Sequence, residues 1–328
     1  MKVLHVIDDQ SNIGLLLYIS ELIEHLRSNG VESVVISLSP VSQDFLIPVT
    51  SLGIELKTFQ LPIAFQKLRS LFRELKPDAV IAHSPWAQIL VPPAARLEGV
   101  SKNMTFEHGE RERLGWRNNI FGIVSNAFSQ KSLVGVVVDE ALPADLSGET
   151  WTGVPYGFTL PAIGDESLMR DKLRVGVWGD RPELARDFLI HAKESSKFEF
   201  LSLGLKNVIE DSRSCDWKSR RHLEEMIQAS DVLVSFDLRP GSWVTMLYLA
   251  TRGKTLLVPR SAQSPKVFQW GENCMAYDPG DWESLMNSLN ALRADQTLRE
   301  GLSKALRRDL ESSANIQTQF SKLSSYFL

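Results

Sequence analysis

The residues of this chain best placed to hold an anion lie just past its middle. Val175-Gly176-Val177-Trp178-Gly179-Asp180-Arg181 closes an apolar run, and Arg186 follows. A glycine after a strand, with two arginines beyond it, suits a diphosphate, because guanidinium forks grip phosphate oxygens in two-point contacts. The same residues also fit a solvated helix start in which Arg181, Glu183 and Arg186 pair among themselves. Further on, Pro240-Gly241-Ser242-Trp243 leads into a helix. Ser242 can cap it, and its first unpaired N–H groups offer a second anion site.

Other chemistries find less support. The early turn Asp8-Asp9-Gln10-Ser11-Asn12-Ile13-Gly14 has only Gly14 where a dinucleotide-binding turn needs GxGxxG, which argues against hydride transfer. Gly14 alone can still let backbone N–H groups approach a phosphate, or it can be a plain loop-to-helix joint. His5 and His83 lie on strand patterns, as core or rim residues do, and His25, His191 and His222 on helical ones, without metal-ligand spacing. No GxSxG or Cys–His arrangement marks a nucleophile.

These residues need elements to position them, and the chain supplies a repeating pattern of short apolar strands and amphipathic helices. In the first half, strands are expected at Val3–Ile7, Ser33–Ser37, Glu55–Phe59, Ala79–His83, Asn103–Glu107, Leu133–Val138 and Thr150–Val154. Helices are expected at Gly14–Ser28, Ile63–Lys76 and Trp86–Leu97, with a short one at Ser42–Leu52 interrupted by Pro48. Between Pro155 and Lys172 the periodicity lapses into a linker. The pattern restarts with strands Leu173–Trp178, Phe198–Leu203, Val232–Phe236 and Thr255–Val258. Its helices are Pro182–Glu194, Ser219–Ala229, Ser242–Arg252 and Asp281–Leu292, and Gln296–Leu328 reads as continuously helical. Strands that are apolar throughout are buried on both faces, which means parallel sheets covered by helices. Such sheets bind ligands at the carboxyl ends of their strands.

Composition agrees. The 328 residues are more than one core usually supports, and 43% hydrophobic with 23% charged excludes collagenous and disordered classes. Lys+Arg 36 against Asp+Glu 40 leaves a net charge of −4, which disfavours nucleic acid as a partner. Cys215 and Cys274 cannot build a disulfide framework, so a reducing, cytoplasmic setting is expected. No signal-peptide core or membrane span is expected.

The order of these signals resembles the family 4 glycosyltransferases. The resemblance rests on the opening strand Lys2–Ile7, on Lys76-Pro77-Asp78-Ala79-Val80-Ile81-Ala82-His83, and on Phe106-Glu107-His108-Gly109. It continues through Pro155-Tyr156-Gly157-Phe158, Ala229-Ser230-Asp231-Val232, Arg252-Gly253 and the stretch from Asn273 to Trp282. It implies an α/β fold of two Rossmann-like, doubly wound parallel-sheet domains facing across a cleft, the GT-B arrangement. Residues 1–158 would be the acceptor domain, 159–172 the linker and 173–310 the donor-nucleotide domain. Residues 311–328 would form a helix packing back on the first domain.

The resemblance further implies a retaining transferase that uses a nucleotide-diphosphate sugar as substrate, with no cofactor or metal. Gly14, Arg181 and Arg186 would meet the donor diphosphate, and His108 the donor sugar. Gly241, Ser242 and Trp243 would add backbone contacts. The family carries two glutamates where this chain has Pro240 and Tyr248, so both carboxylates are missing. Asp237 could supply one, and Tyr248 accepts only in part from ribose. That loss opens an alternative, a catalytically silent GT-B protein serving as a glycan-binding or partner-stabilising subunit. An epimerase or phosphorylase of this fold has no supporting motif.

The acceptor would be a glycan or lipid-linked molecule. Helix Ile63–Lys76 sets Lys67, Arg69, Arg73 and Lys76 opposite an apolar side, as a helix lying on an anionic membrane does, and as a core-packed helix with a solvated face also does. Glu110–Phe121 offers a second acceptor surface or a folded lid.

Overall fold

The computed structural model of the chain describes residues 1–9, 12–41, 47–56, 60–108, 133–137, 151–161, 171–179, 181–192, 195–203, 213–215, 220–236, 243–260 and 265–327. In chain order the elements begin β1 (Lys2–Ile7), α1 (Ile13–Ser28), β2 (Glu32–Ser37), β3 (Val49–Ser51), α2 (Leu61–Leu75) and β4 (Ala79–Ala82). Then come α3 (Pro85–Leu97), β5 (Lys102–Glu107), β6 (Leu133–Val137), β7 (Trp151–Pro155) and β8 (Leu173–Trp178). Next are α4 (Pro182–Ala192), β9 (Phe198–Leu203), β10 (Arg213–Cys215), α5 (Arg220–Ala229), β11 (Val232–Ser235) and α6 (Trp243–Thr251). The chain continues with β12 (Thr255–Pro259), β13 (Met275–Tyr277), α7 (Trp282–Ala294), α8 (Gln296–Ser313) and α9 (Ile316–Phe327).

Two compact units result. The first holds Met1–Phe158 and Ile316–Leu328, the second Thr159–Asn315. Each is built on one parallel sheet, ordered β3-β2-β1-β4-β5-β6-β7 in the first and β10-β9-β8-β11-β12-β13 in the second. Both orders reverse direction once, at β1/β4 and at β8/β11, and such switch points open a crevice at the carboxyl edge.

In the first unit Leu4 and Val6 of β1 face Leu68 and Phe72 of α2 and Ala87 and Val91 of α3. Successive residues of a strand alternate faces, so His5 points to the opposite side. That side is covered by α1, which is buried almost all round, and by α9. Helix α9 is drawn in closely: a Cβ on Gly157 would lie 2.6 Å from the Ile316 Cα, so only glycine allows the approach. Gln319 of α9 accepts from the Gly157 N–H at 3.0 Å and donates to the Tyr18 hydroxyl at 2.8 Å.

In the second unit Val175, Val177, Val232 and Val234 pack against Phe188 and Leu189 of α4 and Leu285 and Leu289 of α7. Asn273 is fully engaged at 1% exposure. It accepts from Gln269 N–H at 2.8 Å and donates to Val267 C=O and to Asp309 of α8, both at 2.7 Å. Asn273→Ala leaves three polar groups unpaired and is expected to destabilise the unit by about 2–3 kcal/mol in urea denaturation. Asn273→Asp, which sets a second carboxylate against Asp309, is expected to be worse. A change within about 0.5 kcal/mol for either, the usual range for a surface substitution, would contradict this.

Several sequence expectations are corrected. The stretch read as helix Ser42–Leu52 contains strand β3, because Pro48 cannot continue a helix and the β-branched Val49 and Thr50 pair with Val35 and Ile36. Residues 55 and 56 of the expected strand Glu55–Phe59 are irregular, and 57–59 lie outside the described residues. Edge strands β10 and β13 were not expected; three residues carry too little pattern, and glycine and proline flank β13. The C-terminal helix is two helices, parted at Ala314 with φ −129° and ψ 31°.

Candidate functional site

At the carboxyl edge of the second sheet, β8 and β11 stay joined past their ends, where Phe236 N–H donates to Trp178 C=O at 2.6 Å. Gly179 sits against this joint. A Cβ there would fall 2.6 Å from the Phe236 Cβ and 2.9 Å from its Cα and carbonyl carbon. Beneath lies an aromatic layer of Phe188, Phe236, Tyr277 and Trp282. Gly179 is therefore required by strand packing, whatever else it meets.

Arg181 stands at the start of α4, its carbonyl accepting from Leu184 and Ala185 N–H. Its exposed guanidinium donates to Glu183 at 3.1 Å, the local pairing that the sequence left open. An ion pair this exposed is weak and easily given up to a phosphate. Arg186 lies more than a turn farther along α4 and is exposed. Asp237, Pro240, Gly241 and Ser242 lie outside the described residues. Trp243 begins α6 fully buried, and its Nε1 has no partner among the described residues.

Tyr248 does not stand open to a ribose. It is fully buried, its hydroxyl donates to Glu224 of α5, and the Arg252 guanidinium lies 4.0 Å from its ring centroid. Arg252 also donates to both Glu224 oxygens at 2.9 and 3.2 Å and to the Thr159 carbonyl at 3.0 Å. Burial pushes the phenol above its ordinary pKa, and the guanidinium opposes that. Tyr248 is thus committed to a cluster inside the domain.

In the first unit, Gly14 is buried in the first turn of α1, which Asn12 caps by accepting from Leu15 N–H at 3.0 Å. At the switch point, both Asp8 oxygens accept from the amides that begin α3, Trp86 at 2.8 Å and Ala87 at 2.7 Å. Burial raises the Asp8 carboxyl to about 7 against the pull of these amides.

His108 follows β5 and is buried, as are His5 and His83. The three form a line: His5 Nδ1 is 3.0 Å from His83 Nε2, and His83 Nδ1 is 3.1 Å from His108 Nε2. His108 Nδ1 then lies 2.6 Å from the Tyr156 hydroxyl. The registers explain the line. His5 pairs with Ile81, two residues before His83, and Ala82 pairs with Thr105. Counting on, His83 lies beside Phe106, two residues before His108. Each step advances two residues, so all three rings share one face of the sheet, staircase-fashion. The rings stack at 5.2 and 5.4 Å, and Tyr18 of α1 packs edge-on against His108 and Tyr156. Desolvation lowers His5 and His108 to about 3, and His83 falls well below its ordinary value, helped by its two neighbours. All three are neutral at pH 7. His108 thus has both ring nitrogens engaged inside the domain and is no proton donor to a ligand in this arrangement. His5 and His83 are core residues, as their strand positions imply, and the sequence marks Tyr156 only within Pro155–Phe158; histidines on or just past three neighbouring strands were the available signal of the line.

Of the basic residues on α2, Arg69 and Arg73 both donate to Glu98, holding its carboxyl down to about 2, and Lys67 donates to Leu52 C=O. This basic face is largely engaged within its own domain. The second acceptor candidate, 110–121, lies outside the described residues. Among the described residues no helix is long and apolar enough to cross a membrane, and no cluster of three or more metal-ligating side chains occurs.

No protein-family model matches the sequence. No curated protein matches it either. Solved structures match over the whole chain. Anabaena HepE in complex with UDP and glucose has a TM-score of 0.75 at 13% identity, covering 100% of this chain and 99% of HepE. Sucrose-phosphate synthase from Thermosynechococcus elongatus has a TM-score of 0.72 at 12% identity, covering 100% and 98%. A UDP-N-acetylglucosamine 2-epimerase has a TM-score of 0.57 at 12% identity, covering 100% and 97%. At such identities the likeness is one of fold: two doubly wound parallel-sheet α/β domains in one chain, the fold class that the resemblance implies.

Proposed function

We propose that the chain is a glycosyltransferase that moves a sugar, with retention, from a nucleoside-diphosphate donor to a glycan or lipid-linked acceptor. The supporting observation is the full-length likeness to HepE, which is solved with UDP and with UDP-glucose, so a UDP-sugar is the first donor to try. In this reading the second domain holds the diphosphate at the β8/β11 crevice. Arg181 and Arg186 neutralise its charge, joined by the backbone of Gly241–Trp243. Stabilising the leaving diphosphate is the main catalytic term. Asp237 is the carboxylate nearest in sequence to the lost one at Pro240. His108 acts through shape and backbone rather than as an acid. Cytoplasmic polysaccharide or envelope-glycan synthesis fits this chemistry, with any peripheral membrane contact made elsewhere than the engaged cations of α2.

Calorimetry with UDP and UDP-glucose tests the reading. Removing both guanidiniums in Arg181→Ala/Arg186→Ala is expected to weaken binding at least about tenfold, since each charged hydrogen bond contributes roughly 1.5–3 kcal/mol. Asp237→Ala is expected to abolish transfer while leaving nucleotide binding intact. A wild-type chain that binds no nucleoside diphosphate would overturn the proposal.

A second reading is favoured by Tyr248. Its commitment to Glu224 and Arg252, with Pro240 at the other glutamate position, suits a silent subunit that keeps the fold and has lost turnover. Nucleotide binding without transfer, or obligate co-purification with an active transferase, would favour it.

A further inference from the structure

A neutral imidazole carries one N–H, so each ring in the line from His5 to Tyr156 donates at one nitrogen and accepts at the other. Two arrangements satisfy the three contacts. In one, every ring is protonated at Nδ1 and the line points from His5 to Tyr156. In the other, every ring is protonated at Nε2, and Tyr156 donates to His108. The ends decide between them. His5 Nε2 is buried with no partner among the described residues. The second arrangement would bury an N–H there, a group that folded proteins seldom leave unpaired; the first leaves a lone pair at His5 and turns the Tyr156 O–H to an acceptor other than His108. The choice at His5 then propagates, because no ring can reverse without the next one reversing. No net proton passes through the line, since it stops at His5.

We propose that His5 and His83 are positioning residues that lock His108 as its Nδ1–H tautomer, pointed at the Tyr156 hydroxyl. The functional part of this assignment rests on the glycosyl-transfer reading, which puts His108 beside the donor sugar. Histidine suits the middle position because His83 must accept at one end of a rigid ring and donate at the other. His108 Nδ1–H in turn fixes the ring against Tyr156, which the edge-on ring of Tyr18 backs at 5.0 Å. Whatever His108 presents to a ligand, its orientation is set two rings away.

Long-range 1H–15N NMR of the full chain, labelled with 15N-histidine at neutral pH, tests the assignment. The expected result is the Nδ1–H pattern for His5, His83 and His108. An Nε2–H or imidazolium pattern for any of them would overturn it. Two variants separate positioning from bulk stability. His5→Asn keeps a donor at the place of Nδ1, and His5→Gln moves it to the place of Nε2. His5→Asn is expected to retain the His108 pattern and His5→Gln to lose it, although both lower the unfolding temperature. If His108 keeps its Nδ1–H pattern in both, the lock does not run through His5 and the proposal falls. Should neither variant fold, the wild-type spectrum decides. Titration of the wild type with UDP-glucose keeps the two ideas apart: absent binding sinks the glycosyl-transfer reading, while the tautomer result stands on its own spectra.

Discussion

Gly179→Ala is expected to destabilise the second domain by about 1–3 kcal/mol, the usual cost of overpacking. The added methyl would lie 2.6–2.9 Å from three atoms of Phe236, two of them backbone, and no rotamer change can move those away. Relief requires parting β8 from β11 at the switch point, where Phe236 N–H meets Trp178 C=O. The same parting would displace Arg181 relative to the crevice, so UDP affinity is expected to fall with stability. Gly301→Ala in α8 is the control. A Cβ there meets nothing within 4 Å, and alanine in a helix is expected to add about 0.5–1 kcal/mol. Urea denaturation of both variants checks the contrast. Equal midpoints would mean that the close approach at Gly179 is not a constraint.

The first domain is expected to be acid-labile well above the usual range. His5 and His108 are lowered to about 3 and His83 is well below normal, so the folded rings stay neutral while the unfolded ones protonate near 6.5. Their stabilising effect is whole above pH 6.5 and is lost progressively as pH falls toward 3. Asp8 works in the other direction. Its carboxyl, raised to about 7, is protonated in the folded domain and released on unfolding until pH nears 3.8. Three protons taken up against one released leave two, a slope of about 2.7 kcal/mol per pH unit below 6.5. Domains of total stability about 5–15 kcal/mol survive only a few units of that. Between pH 6.5 and 7 the remaining protonation of the three unfolded rings and that of folded Asp8 nearly cancel, so stability is expected to level off near pH 7. Urea midpoints between pH 7.5 and 4.5 measure this, and a flat profile would contradict it. His5→Phe, which removes one ionisable ring, is expected to lower the slope by about a half.

The architecture was legible where sequence carries redundant signal. Strands β1, β4, β8, β11 and β12 are dominated by apolar residues, and their alternation with helices leaves little choice but two parallel sheets. Short edge strands escaped, because three residues flanked by turns have no period to read. At the site, the Arg181–Glu183 pair was legible because its partners are neighbours. The histidine line was not, since its members are separated by 78 and 25 residues and meet only through strand register. A slip of one residue in β4 would turn His83 to the opposite face. Tyr248 was legible as a position but not as a role, because its partner Glu224, 24 residues away, reaches it only through the tertiary fold.

Helix α9 belongs to the first domain, although residues 159–315 intervene before it is made. During synthesis the first domain therefore begins first and is completed last. At about 5–20 residues per second, α1 waits roughly 15–60 s for the helix that covers Tyr18 and His25. The second domain is contiguous and can fold within that interval. On the ribosome this chain would carry a helix that the finished domain buries over most of its length, without its cover, which makes the unfinished first domain a natural client for a holding chaperone. Its release would coincide with the arrival of Ile316, whose N–H closes onto the Phe158 carbonyl at 3.2 Å.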